Sequence, residues 1–366
     1  MSVDVSTKVD ALAITSSPGA WVRAIGYHES VAGELDRWRL DTLTEPGVPV
    51  RVQHRSGKLW MLNSAAVAAA GLESIYEPGV ERDADGRATG RVWRRDDLLA
   101  SVSQPPDLTY IATRALELGV TALTDATPGG SPSDLATDLR AAGVQQRLTL
   151  MGPLGAATRA PVKVLLDDDR LPTIDVLADT VRAARAEGRH VAFHCVTRLQ
   201  LVVALAALEA CGPTAPGDRI EHGSLIDADL VGTLAKLGVT VVTQPHFIAE
   251  RGDEYLIDVE RDDRGALYRC RSLIDAGIRV LAGTDAPFGK FDPWASIHAA
   301  MERRTRLGAV IGASERVDVD TAVRLYTGSR RIKVGLPADL CLLHIPWRAL
   351  RTTLPDAPVA MTVCSA

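Results

Sequence analysis

Between residues 106 and 290 the chain repeats one local pattern, and that pattern leaves few folds open. A helical period gives way to a short apolar run six times, and one further such run makes seven. DLTYIATRALELG leads into VTALTDAT, SDLATDLRAAG into QRLTLMG, and PVKVLLDD follows. An Ala/Arg-rich helix over 174–188 leads into HVAFHCV, and LQLVVALAALEAC into RIEHGSL. ADLVGTLAKLG leads into VTVVTQPHF, and LYRCRSLIDAG into RVLAGTDAPF. The short runs are continuous stretches of Val, Ile, Leu and Ala, as expected of strands buried on both faces. Strands that alternate with helices form a parallel sheet, each helix serving as the crossover. Seven such units predict an α/β fold: a TIM-like (β/α) barrel missing one strand, or a large open sheet.

The flanks lack this rhythm. Residues 1–20 read as weakly structured. WVRAIGYHES reads as a strand and a loop, and RWRLDTL as a short helix. VPVRVQHRSGKLWMLN reads as a hairpin turning at Ser56-Gly57. SAAVAAAGL predicts a helix capped by Ser64 and stopped at Gly71. Residues 77–90 read as a charged loop, and GRVWRRDDLLASV as the start of a helix. At the other end DTAVRLYTGSRR predicts a helix, and VGLPADLCLLHI a turn and strand. The expected organisation is a weakly structured segment (1–20), an α+β subdomain (21–105), the barrel (106–332) and a small β element (333–366).

Composition excludes several function classes. A net charge of −5 argues against nucleic-acid or anionic-membrane partners. No apolar run is long enough to span a bilayer. The first residues have neither a basic segment nor an apolar core of the signal-peptide type. The five Cys have no CxxC spacing, so reduced thiols and a cytoplasmic location are expected.

Chemistry is concentrated at the ends of the predicted strands. Lys163 lies in PVKVLLDD, His194 in AFHCV, His222 in IEHGS, His246 in QPHF and Asp285 in GTDAP. In parallel α/β folds the C-terminal ends of the strands share one rim, so these side chains would converge. Imidazole and carboxylate suit a divalent transition metal such as Zn²⁺. Taken singly, each residue has a simpler reading: Lys163 snorkelling to the surface, or Asp285 starting a turn. Asp125 reads as a turn residue. His28, His54, His190, His298 and His344 have no strand-end context and read as structural. Lys163, His194, His222 and Asp285 on successive βα units form a set that chance does not readily produce.

At these residues the sequence resembles the amidohydrolase superfamily, and within it the amidohydrolase family 3 group of metal-dependent hydrolases. The matching stretches are VRVQHRSGKLWMLNSAAVAAAGL, LGVTALTDAT, VKVLLDD, AFHCV, RIEHGSL, VTQPHF, LAGTDAPF with DPW, TAVRLYT and LPADLCLL, in the family's order. The resemblance implies a TIM barrel, a smaller β-sandwich made from both chain ends and an inserted subdomain corresponding to residues 21–100. It implies that Lys163 is a metal-bridging lysine, usually carboxylated. His194 and His222 would bind metal, and Asp285 would be both metal ligand and general acid/base. His246 would lie near substrate, and Lys58 and Trp60 of the inserted segment near the pocket. Taken as residues, Trp21, Trp60 and Trp93 fit either a substrate with an apolar or aromatic part or a place in the core. The implied cofactor is a divalent metal, zinc, as one or two ions. The implied partner is a small-molecule substrate, and a homodimer follows the family's habit.

One departure stands out. The family's first strand ends in His-x-His, and this sequence contains none. The expectation is a shortened or diverged form that lacks the first strand. Two functions follow from it. One is a hydrolase of non-peptide or cyclic amide C–N bonds that uses metal-activated water. The other is a truncated or diverged non-catalytic relative that serves as a binding or scaffold protein. A lyase or isomerase on the same barrel is a weaker third.

Overall fold

The computed structural model describes residues 2–4, 21–102, 108–212, 217–328, 332–350 and 358–365. The chain divides into two compact units, Met1–Pro106 and Asp107–Ala366.

The first unit contains β1 (Ser2–Asp4), β2 (Val22–Tyr27), α1 (Glu29–Ala32), α2 (Arg37–Leu43), β3 (Val50–His54), β4 (Leu59–Leu62), α3 (Ser64–Ala69), β5 (Val80–Arg82) and β6 (Ala88–Trp93). Its sheet runs β1-β2-β3-β4-β6-β5. The first three strands are parallel, and the remaining pairings are antiparallel. The expected hairpin over 48–63 is β3–β4. The expected charged loop over 77–90 instead holds β5 and the start of β6. GRVW is strand rather than helix, because Val92 is buried within the sheet. The cap of α3 is Asn63, not Ser64. Its Oδ1 accepts from the backbone N–H of Ala66 (3.0 Å) and of Val50 (3.0 Å), and its amide donates to the Val48 carbonyl (2.8 Å). One buried amide thus ties the helix start to the strand beside it. Gly71 does end the helix, in the left-handed region at φ +66°.

The second unit contains α4 (Thr109–Glu117), β7 (Ala122–Asp125), α5 (Pro132–Ala141), β8 (Arg147–Leu150), β9 (Val162–Val164), α6 (Ile174–Ala186), β10 (Val191–Cys195), α7 (Arg198–Ala210), β11 (Arg219–His222), α8 (Ala228–Leu237), β12 (Thr240–Thr243), α9 (His246–Asp258), α10 (Arg271–Asp275), β13 (Arg279–Ala282), α11 (Pro293–Glu302), α12 (Val319–Thr327), β14 (Leu340–Leu343), α13 (Trp347–Leu350) and β15 (Val359–Val363). Each of the seven predicted runs contains a strand. β13-β12-β11-β10-β9 form one parallel sheet and β7-β8 a parallel pair, and Gly152 just past β8 bridges in parallel to Val162 of β9. The architecture is α/β.

Alternation along these strands sorts the side chains. Val162, Phe193, Cys195, Ile220, Val241 and Val280 pack with Leu177, Val181, Leu201, Leu205 and Leu234 of the helices. This is the main core. The residues between them, Lys163, Ala192, His194, Glu221, Val242 and Leu281, therefore face the opposite side. Ladder pairing places Lys163 beside Ala192, and His194, Glu221, Val242 and Leu281 in one row. No helix among the described residues is long and apolar enough to cross a membrane.

Candidate functional site

Strand alternation alone would turn His222 the wrong way. Its ladder partner is Cys195, which faces the helices. The backbone of His222 breaks the alternation with φ at +69°. That left-handed kink turns the imidazole toward the other face, where its ring centroid lies 4.5 Å from that of His194 in an edge-on arrangement. Asp285, three residues beyond β13, also sits at positive φ, +52°. Its carboxylate lies 3.8 Å from His222 Nδ1. Two non-glycine residues held in the left-handed region beside one another represent strain, and such strain concentrates at functional sites.

The neighbours orient these groups. Gln244 Oε1 accepts from His222 Nδ1 at 3.2 Å, which puts the imidazole proton on Nδ1 and leaves Nε2 as a lone-pair donor. Burial pushes the His222 pKa down to about 4, so the ring is neutral near neutral pH. Burial pushes the Asp285 carboxyl up to about 6, against the opposing pull of Lys163 and Arg251. Lys163, in the middle of β9 and buried, is pulled below the ordinary lysine range by desolvation, with Glu221 and Asp285 pulling the other way. Lys163 thus does not snorkel. The turn after His194 is held by Gln200, whose Oε1 accepts from the backbone N–H of Val196 (2.7 Å) and Thr197 (3.3 Å) within the capping box of α7.

His246 is not on a strand. It is the first residue of α9, with Pro245 as N-cap. Its ring is 2% exposed. Nε2 donates to the Thr284 carbonyl (3.0 Å), and Nδ1 accepts from the Ser296 hydroxyl (3.2 Å). Desolvation pushes its pKa down to about 4. Gly289 packs so closely here that a Cβ would lie 2.6 Å from His246 Nε2 and 2.5 Å from the Thr284 oxygen. This cluster fixes the backbone immediately before Asp285.

Lys58 and Trp60 belong to the first unit. Trp60 is buried in its core, donating from its indole to Asp96 (2.7 Å) beneath the Arg51 guanidinium. Lys58 is exposed, and its carbonyl accepts from the Arg94 N–H (2.8 Å). Asp125 turns the chain after β7, accepting from the N–H and hydroxyl of Thr127.

Sequence reasoning passed over Gln244, Glu221 and Arg251. Arg251 on α9 stacks 3.5 Å from the Phe288 ring centroid and donates to the Phe288 carbonyl (2.6 Å). Glu221, adjacent to His222 in IEH, is the one of the three with a visible signal: a carboxylate within an otherwise apolar strand.

The donor types, two imidazoles and a carboxylate, suit a divalent ion, and the carboxylate lies on the Nδ1 side of the His222 ring. The set is not a closed cage: His194, His222 and Asp285 do not all approach within 4.8 Å, and the trio that does so among the described residues is in the first unit.

Comparison with known proteins points the same way. A model of the amidohydrolase family matches residues 2–365. YtcJ of Bacillus subtilis (strain 168), which carries an amidohydrolase name, is 25% identical over 367 residues, covering 84% of this chain and 69% of its own length. The N-substituted formamide deformylase of Arthrobacter pascens is 27% identical over 377 residues, covering 85% and 69%. An uncharacterized metal-dependent hydrolase from Pyrococcus horikoshii shares the fold, with a TM-score of 0.62 at 21% identity over 88% of this chain and 75% of that one. A counterpart from Pyrococcus furiosus gives 0.61 at 21% over 88% and 76%.

Proposed function

The chain belongs to the amidohydrolase family, and on that premise we propose that it is a metal-dependent hydrolase of a small molecule's non-peptide or cyclic amide C–N bond. The seven parallel strands are read as members of a (β/α) barrel, with Lys163, His194, His222 and Asp285 holding the metal at its rim. The observation that carries this reading is the pair His222 and Asp285, both in left-handed backbone and 3.8 Å apart. The two kinks bring an imidazole and a carboxylate together at the strand-end rim.

A divalent metal bound there would polarise the amide carbonyl and lower the pKa of water to about 7. Asp285, the carboxylate beside His222, would accept the proton of the attacking water. It then delivers that proton to the leaving nitrogen. Gln244 keeps His222 in the tautomer that presents Nε2. His246, through Thr284, holds Asp285 in position. The deformylase among the relatives makes N-formyl and short N-acyl amines the first substrates to try. Zinc is the metal proposed, and the cytoplasm the location, in keeping with five unpaired cysteines.

The test is amine release from a panel of N-formyl amines, N-acyl amines and cyclic amides, with metal content measured alongside. Asp285→Asn should abolish turnover while leaving the circular dichroism spectrum intact. Metal-loaded protein that releases no amine from any of these would leave a binding or scaffold role.

A further inference from the structure

The first unit holds a cluster of ligand-type side chains of its own. The sequence reading placed His28 and His54 outside any strand-end context; the structure corrects this. His54 is the last residue of β3, and His28 directly follows β2. The two strands are parallel neighbours, with Tyr27 registered on His54, so both imidazoles leave the same end of the sheet. Their ring centroids are 5.7 Å apart. Glu29, the first residue of α1, sends its carboxylate between them: Oε2 lies 3.1 Å from His54 Nε2 and 3.6 Å from His28 Nε2. One donor atom from each residue falls within a 4.8 Å span. The side chains are 16–34% exposed, open to an ion from solvent yet partly withdrawn from it.

From this geometry we propose that His28, Glu29 and His54 form a divalent-cation site of the zinc class in the first unit. Ligands at roughly 2.0–2.2 Å from a tetrahedral zinc are separated from one another by about 3.3–3.5 Å. The two carboxylate–imidazole distances already bracket that edge, and the His28–His54 edge lies within 4.8 Å. Two imidazoles and one carboxylate are a recognised zinc donor set, with the fourth position left for water. The outer partner is also present. Ser56 Oγ lies 2.7 Å from His54 Nδ1, and the Ser56 backbone N–H is directed at the same nitrogen at 3.1 Å. In the metal-free form Nδ1 accepts and Nε2–H donates to Glu29. Ion binding takes the Nε2 lone pair and the ring proton moves to Nδ1; Nδ1–H then donates to the Ser56 hydroxyl, and the Ser56 backbone N–H gives up its bond to that nitrogen. The bound ion would clamp the ends of β2 and β3 to the start of α1.

The experiment uses the full chain, stripped with chelator and dialysed against Zn²⁺. The background variant His222→Ala/Asp285→Asn removes two of the four ligands proposed for the second unit, leaving Lys163 and His194 without the pair that completes that site. In that background we expect one zinc per chain. Adding Glu29→Gln, which keeps the side-chain shape, should remove it with the circular dichroism spectrum unchanged. Ser56→Ala should weaken zinc affinity about 10–100-fold. Co²⁺ substituted into the background variant should give the intense visible absorption of a four-coordinate ion, absent after Glu29→Gln. The proposal is overturned if the background variant holds no zinc, or if Glu29→Gln leaves zinc content and the Co²⁺ spectrum unchanged. Neither result bears on the hydrolase reading, which is tested with the second-unit ligands intact.

Discussion

His246→Gln should change how the stability of this protein depends on pH, by an amount that follows from the burial of one ring. In the folded chain burial holds the His246 pKa at about 4, while the unfolded chain has the ordinary value of 6.5. A depressed folded pKa means that the unfolded state binds more protons in between. The stabilisation is therefore complete above pH 6.5 and lost as pH falls toward 4. The full loss is about 3 kcal/mol, and by pH 5 it has reached about 2 kcal/mol. Gln keeps an amide donor for the Thr284 carbonyl but loses shape complementarity, which costs about 1–2 kcal/mol at pH 8. The gap between wild type and variant should thus close between pH 8 and pH 5. Other groups that titrate in that range, Asp285 and His222 among them, do so in both proteins and cancel in the difference. Thermal unfolding of the chelator-treated proteins at the two pH values reads this out. At about 2 °C per kcal/mol for a unit of this size, the Tm difference should move by about 4 °C in the variant's favour, closing or reversing the gap. A gap that stays the same at both pH values would refute the view that His246 is buried neutral and satisfied by Thr284 and Ser296.

Three further substitutions test the packing. Gly289→Ala would set a methyl 2.5 Å from the Thr284 oxygen, a backbone atom with little room to move; it should cost about 1–3 kcal/mol and, by shifting the segment before Asp285, reduce amide hydrolysis as well as Tm. Arg303, fully buried, donates to the carbonyls of Ile311, Tyr268 and Leu267 at 2.8, 2.9 and 2.7 Å. Arg303→Met leaves three acceptors unpaired and should lower stability by about 3–5 kcal/mol in urea unfolding. In the first unit, Gly90 sits at φ +80° with a would-be Cβ 2.3 Å from the Leu62 oxygen. Gly90→Ala should add about 1–3 kcal/mol of backbone strain to that clash, seen as proteolysis of the first unit under conditions that leave the second intact.

Much of the second unit was legible because its signals are local. A buried parallel strand is a short apolar run, its helix an amphipathic one, and their alternation predicts the pairing without knowledge of any distant residue. The seven strands and the rim position of His194, His222 and Asp285 follow from that alone. The first unit was harder to read. Its sheet mixes parallel and antiparallel pairs, and β5 and β6 lie in a charged, glycine-containing stretch that carries no clear period.

Which residue types stand at the strand ends is written in the local sequence. Where those side chains point and what they meet depends on how the whole chain packs. Alternation assigns His222 to the helix face, and a left-handed backbone at that one residue reverses the assignment. His246 looked like another strand end, yet it begins a helix and is engaged through both ring nitrogens. His28 and His54 looked isolated, because 26 residues separate them along the chain and nothing local marks their strands as partners. Parallel pairing of β2 with β3 brings them around Glu29. Local periodicity shows that a strand exists; face, register and neighbour depend on contacts between distant segments, and those are settled only when the whole chain packs.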